Sequence, residues 1–254
     1  MSKPILIWTL RRTGGTTLTD LLQQRSEYPV VDQEPFNWDR CFGAVAKRWH
    51  KAQNKAALRE DLAKVLSTHP TIKHCHELHN DAFNAILFAT ATELGYRHMI
   101  LDRRDEVGRI LSLELAKLTG AWGKMGSEER YRKFESGELQ MESIDIPAAV
   151  AHMKQCEIRR KALHKLVQNS GLAVREFFFE DIYTGPKAGR VLIHAILADF
   201  DLGNPDDAAL EQLITTALVY RGQNSARMLG VIPNVNEAEK RLKAVLTRLR
   251  PAQP

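Results

Sequence analysis

Between Ile5 and Leu22 an apolar run, ILIWTL, passes into RRTGGTT and then into LTDLL. A strand that turns directly into a helix is the unit from which parallel sheets are assembled. Gly14 and Gly15 let the backbone come close to an anion. Thr13, Thr16 and Thr17 add hydroxyl donors where the helix start presents free N–H groups and its positive dipole end. Arg11 and Arg12 bring charge beside it. The loop lacks the Gly-Lys-Ser/Thr of GxxxxGK[ST], which argues against ATP or GTP as the phosphate donor. Paired glycines also serve plain helix-on-strand packing, so the loop alone leaves that reading open.

A second segment, His98 to Trp122, reads HMILDRRDEVGRILSLELAKLTGAW. It opens as a short buried strand. It continues with Val107, Ile110, Leu111, Leu113, Leu115 and Leu118 at helical spacing. Arg104 follows the carboxyl end of that strand, where open parallel sheets bind ligands, and Ser112 comes about two helical turns later. An Arg fork and a hydroxyl suit a terminal phosphate. The bland alternative makes 103–106 a charged helix cap and Ser112 an ordinary helix residue.

Together the two segments resemble the sulfotransferases that use 3′-phosphoadenosine 5′-phosphosulfate. That family's first loop, Arg-Ser/Thr-Gly-Ser/Thr-Thr, is matched by Arg12-Thr13-Gly14-Gly15-Thr16, with Gly15 losing a hydroxyl. Its second motif, an Arg at a strand end and a Ser eight positions on, is matched by Arg104 and Ser112. A third block, VREFFFEDIYTGPKAGRVLIHAILADFDL from Val174 to Leu202, is similar to the family's strand, Glu-Asp corner and following helix. The closest look is to the bacterial trehalose 2-sulfotransferase-like branch. The resemblance implies that Arg12, Thr13, Gly14, Gly15, Thr16 and Thr17 hold the 5′-phosphosulfate and that Arg104 and Ser112 hold the 3′-phosphate. It also implies a hydroxyl acceptor, of a carbohydrate or glycolipid by analogy with the branch, and no metal. A kinase of the P-loop class with a degenerate loop, and a non-catalytic nucleotide-binding protein, remain as alternatives.

Sulfuryl transfer asks the protein to hold donor and acceptor in line, to neutralise developing charge, and to remove the hydroxyl proton. The loop, Arg12 included, and Arg104 with Ser112 serve the first two needs. For the third, the trehalose-type branch implies a Glu soon after the first helix, which is Glu34 in VVDQEPFNW. Beside Pro35, Phe36 and Trp38 this carboxylate is expected to have a raised pKa suited to accepting a proton; it also reads as a plain surface loop residue. The rival base lies in KHCHELH, with His74, His76 and His79. Animal cytosolic sulfotransferases carry Lys-Thr-His near a comparable strand; Lys73 takes the Lys position, but Cys75 stands where the His belongs. Zinc is not expected on this cluster, because nothing beyond Glu77 and His79 completes four ligands. Trp38 and Trp122 suit either a sugar-stacking pocket or packing.

The 254 residues, 44% of them hydrophobic, suffice for one buried α/β domain over 1–254 without linker or repeat. A net charge of +5, spread along the chain, fits a polyanionic donor and not nucleic-acid binding. Cys41, Cys75 and Cys156 have no metal-like or paired spacing, and the N-terminal apolar run is short for a signal peptide. A cytoplasmic protein without a membrane span is therefore expected, and a homodimer is compatible with it. Strands are expected near 4–10, 71–75, 98–102 and 173–179. Helices are expected near 16–25, 40–67, 80–94, 105–119, 147–169 and 187–199. This alternation predicts a doubly wound parallel sheet. Segments near 40–67 and 123–146 stand outside it and are expected as lids over the acceptor. The run from Asp206 to Leu249, around Arg-Gly-Gln-Asn at 221–224, is expected as a solvated helical tail.

Overall fold

Four strands build the sheet: β1 (Ile5–Thr9), β2 (Ile72–Cys75), β3 (Arg97–Asp102) and β4 (Arg175–Phe178). All pairings are parallel, in the order β2-β1-β3-β4, with Leu6 opposite Ile72, Ile7 opposite Met99, and Leu101 opposite Phe177. The computed structural model describes residues 3–122, 127–203, 207–219 and 225–250. The first helices are α1 (Gly15–Arg25), α2 (Gly43–Ala52), α3 (Lys55–Leu66), α4 (Asp81–Glu93), α5 (Glu106–Thr119) and α6 (Ser127–Glu135). They are followed by α7 (Ile146–Ser170), α8 (Phe179–Tyr183), α9 (Pro186–Asp199), α10 (Ala208–Val219), α11 (Ser225–Leu229) and α12 (Val235–Leu249).

Every residue of β1 is buried, as a strand covered on both faces requires. Successive side chains alternate between two cores. Ile5, Ile7, Met99, Leu101 and Phe177 pack with Leu18, Leu21 and Leu22 of α1, Ile193 and Ile196 of α9, and Leu210 and Ile214 of α10. Leu6, Trp8, Ile72 and Ile100 pack with Leu62 and Leu66 of α3, Phe83 and Leu87 of α4, and Leu163 of α7. The expected doubly wound parallel α/β fold is what the chain adopts.

The chain falls into two compact units, Met1–Asp102 with Lys161–Tyr220, and Arg103–Arg160 with Arg221–Pro254. The sheet and the two cores just described belong to the first. In the second, Ile110, Leu111 and Leu115 of α5 pack with Tyr131 and Phe134 of α6, Met153 of α7 and Leu242 of α12.

Two local expectations change. The helical stretch 40–67 is two helices, because Gln53 turns left-handed at φ 51° and Asn54 then caps α3, its side chain accepting the Ala57 N–H at 3.1 Å. Both helices contribute to the core, through Val45 and Trp49 and through Leu58, Leu62 and Leu66. Nor is the C-terminal part a solvated tail: Leu210, Ile214 and Leu218 of α10 are buried in the first unit, and Ala238, Leu242 and Val245 of α12 in the second. Residues 221–224 and 123–126 lie outside the described residues.

Candidate active site

The loop after β1 turns twice through the left-handed region, at Arg12 (φ 71°) and at Gly14 (φ 78°), before α1 begins at Gly15. The N–H groups of the first helical turn have no acceptor within the helix. Glu77, its side chain 1% exposed, steadies the start of the loop: its Oε1 accepts the Arg11 backbone N–H at 2.8 Å and Arg11 Nε at 3.1 Å. Thr13 was expected to offer its hydroxyl to the phosphate. It is 1% exposed and turned inward instead, hydrogen-bonded to the Leu10 carbonyl at 2.9 Å and to the Thr9 hydroxyl. Thr9 Oγ1 also lies 2.9 Å from the carbonyl oxygen of Leu101, so the threonine pair sits where the loop meets β3.

Thr16 is the exposed hydroxyl of the loop. Its oxygen accepts a hydrogen bond from Lys73 Nζ at 2.9 Å, which leaves the hydroxyl proton for a ligand. Lys73 reaches it from β2, where alternation points Ile72 and His74 to one core and Lys73 to the opposite side, with its stem over Gly15. A Cβ on Gly15 would stand 3.1 Å from Lys73 Cδ. The hydroxyl missing at Gly15 therefore makes room for the lysine.

The same ammonium lies 3.0 Å from Glu34 Oε1, and Asn37 Nδ2 donates to Glu34 Oε2 at 2.9 Å. Glu34 itself is left-handed, at φ 56°. Burial pushes its carboxyl up, but the Lys73 charge and hydrogen bonds from Lys73, Asn37 and Cys75 outweigh it, and the pKa is lowered. The expected raised pKa is thus reversed. Pro35 and Phe36 follow the group in sequence, but a lysine 39 positions away in the chain controls it.

The histidines near β2 are buried. His74 is 2% exposed; its Nε2 meets Asn84 Oδ1 at 2.8 Å, while Asn84 Nδ2 donates to the carbonyl of His76. Its ring packs among Trp8, Phe36, Phe83 and His79. His76, 3% exposed, opens the 3-10 turn His76–Leu78. His98 accepts from Trp8 Nε1 at Nδ1 (3.0 Å) and meets the Thr92 hydroxyl at Nε2 (2.9 Å), an arrangement that needs the neutral ring. Burial lowers the pKa of His74 to about 4, of His79 to about 3 and of His98 to about 4. An unfolded histidine titrates near 6.5, so between pH 6.5 and 4 only the unfolded chain takes up these protons. Stability should be flat above pH 7 and fall below it, by about 1.4 kcal/mol per pH unit for each histidine once the unfolded ring is charged. Urea midpoints at pH 7.5 and 5 check this; equal midpoints would contradict it.

Arg104 and Ser112 belong to the second unit, and the loop, Lys73 and Glu34 to the first. Arg104 is exposed and its carbonyl accepts the Glu106 N–H at 2.9 Å; Ser112 is 5% exposed. Asp105 caps α5 by accepting the Gly108 N–H at 2.9 Å. Beneath this cap Arg109 and Glu106, both fully buried, pair at 2.7 Å, and Arg160 joins Glu106 (2.9 Å) to Glu157, which also holds Arg250 at 2.6 Å. Among the described residues no group of three or more His, Cys, Asp or Glu could hold a metal ion. No described helix is long and apolar enough to cross a membrane.

No protein-family model and no curated protein sequence matches this chain. Solved structures similar to it include retinol dehydratase in a complex with retinol and PAP, at 13% identity and TM-score 0.40, covering 99% of this chain and 84% of that one. A sulfotransferase domain from the curacin biosynthetic pathway is also similar, at 13% identity and TM-score 0.40, covering 100% of this chain and 93% of that one.

Proposed function

We propose that this protein is a sulfotransferase moving a sulfuryl group from 3′-phosphoadenosine 5′-phosphosulfate to a hydroxyl of a carbohydrate or glycolipid. The supporting observation is the source of the cation. In ATP and GTP loops the lysine belongs to the loop itself. Here Lys73 arrives from the neighbouring strand and touches Thr16 of the loop and Glu34 at once. A phosphate cradle, a cation and a carboxylate are thereby joined in one row.

In the reaction the acceptor oxygen bonds to sulfur as the bond from sulfur to the 5′-phosphate oxygen breaks, and adenosine 3′,5′-bisphosphate leaves. Arg12, Thr16, Thr17 and the amides of Gly15 to Thr17 hold the phosphosulfate, while Lys73 meets the negative charge growing on the leaving oxygen. Glu34, ionised at neutral pH because Lys73 lowers its pKa, takes the acceptor proton. His76 is the second candidate for that proton. Arg104 and Ser112 are assigned to the 3′-phosphate from their motif. Trp38, 58% exposed and edge-on to His50, offers a face on which a sugar ring stacks. Roles for 40–67 and 123–146 as lids, a cytoplasmic location and a homodimer are proposals from the sequence alone. A radiosulfur-labelled donor incubated with the protein and a panel of sugar alcohols should label an acceptor without magnesium. Transfer of the ATP γ-phosphate to the same panel, with no sulfur label, would overturn the proposal.

A further inference from the structure

The turn at Gly14 is covered by two aromatic rings from a distant part of the chain. Tyr183 and Phe179, at either end of α8, pack with ring centroids 5.1 Å apart. A Cβ on Gly14 would meet Tyr183 Cε2 at 2.5 Å and Phe179 Cδ2 at 2.9 Å, so the rings lie directly on the glycine backbone. Tyr183, 3% exposed, donates its hydroxyl proton to the Gly14 carbonyl at 2.9 Å. The helical bond to that carbonyl, from Leu18 N–H, is the longer of the two at 3.4 Å. In a trans peptide the carbonyl oxygen and the following N–H point in opposite directions. A Gly14 carbonyl turned to Tyr183 therefore aims the Gly15 N–H away from the Tyr183 hydroxyl.

We infer that Tyr183 is a positioning residue for anion binding: it locks the Gly14–Gly15 peptide so that the Gly15 N–H is presented to a phosphate or phosphosulfate group before the ligand arrives. The inference rests on residues 12–17 being an anion loop, part of the reading above, and does not depend on which anion is the substrate. Without the hydroxyl the peptide rotates more freely, and the ligand must order it on binding.

Tyr183→Phe keeps the ring and removes the bond. In the ligand-free variant, amide hydrogen exchange at residues 14–18 should quicken while α4 and α9 exchange as in the wild type. Binding of adenosine 3′,5′-bisphosphate, and of inorganic pyrophosphate as a probe free of the nucleoside, should weaken about five- to tenfold, the scale of one hydrogen bond. The donor KM should rise with kcat at saturating donor close to wild type. Unchanged exchange at 14–18, faster exchange throughout the first unit, or local loosening with undiminished pyrophosphate affinity would each overturn the inference. Local loosening with weaker pyrophosphate binding supports it even where the wild type ignores the bisphosphate, an outcome that counts against the sulfuryl-donor reading alone.

Discussion

Glu34→Gln is expected to lower kcat by about 10²–10⁴ while affinity for adenosine 3′,5′-bisphosphate stays near wild type or improves. The substitution keeps shape and the Asn37 side of the contact but removes the proton acceptor. It also releases Lys73 from a carboxylate 3.0 Å away, so the ammonium meets the donor with less competition. Single-turnover kinetics at saturating donor, beside calorimetric titration of the bisphosphate, separate these effects. Near-normal turnover in Glu34→Gln together with a dead His76→Ala would move the base to His76.

Arg109→Met is expected to destabilise the second unit by about 2–3 kcal/mol, less than a buried charge left with no partner at all, because Arg160 still faces Glu106 at 2.9 Å. Arg109 and Glu106 are both fully buried, and Glu106 ionises more readily than usual: burial opposes this, but the hydrogen bond and charge of Arg109 and the charge of Arg160 outweigh it. The double variant Glu106→Leu/Arg109→Met should be less damaging than the sum of the two single changes, because neither charge is left orphaned. Urea denaturation of the three variants tests this; a loss under about 1 kcal/mol for Arg109→Met would show that the pair is not the tie it looks to be.

The parts legible in the sequence were those governed by local pattern. The strands expected near 4–10, 71–75, 98–102 and 173–179 are found at Ile5–Thr9, Ile72–Cys75, Arg97–Asp102 and Arg175–Phe178, and the paired glycines at 14 and 15 marked the turn into α1. The parts that escaped depend on partners far away in the chain. Lys73 reverses the pKa shift that Pro35, Phe36 and Trp38 suggested for Glu34. Thr13 is a local exception: in its loop it reads as a hydrogen-bond donor to phosphate, but the Leu10 carbonyl and the Thr9 hydroxyl, three and four residues before it, hold its hydroxyl. Tyr183 is 169 positions from the carbonyl that it holds. Its sequence trace is its place in FFFEDIY, just after β4, and β4 pairs with β3, the neighbour of the strand β1 that leads into the loop. Asn54, a polar residue preceding a run of helix formers, could have signalled the break between α2 and α3, since asparagine favours the N-cap.

The loop and its lysine are proposed to serve a sulfuryl donor and not a nucleoside triphosphate. Calorimetric titration with adenosine 3′,5′-bisphosphate and with ATP, in separate cells and without magnesium, tests it most directly. The bisphosphate should bind much more tightly than ATP, with a loss of about 2–3 kcal/mol on Arg104→Ala, the scale of a charge-assisted hydrogen-bonded pair. Equal affinity for ATP, or an absolute need for magnesium, would contradict it.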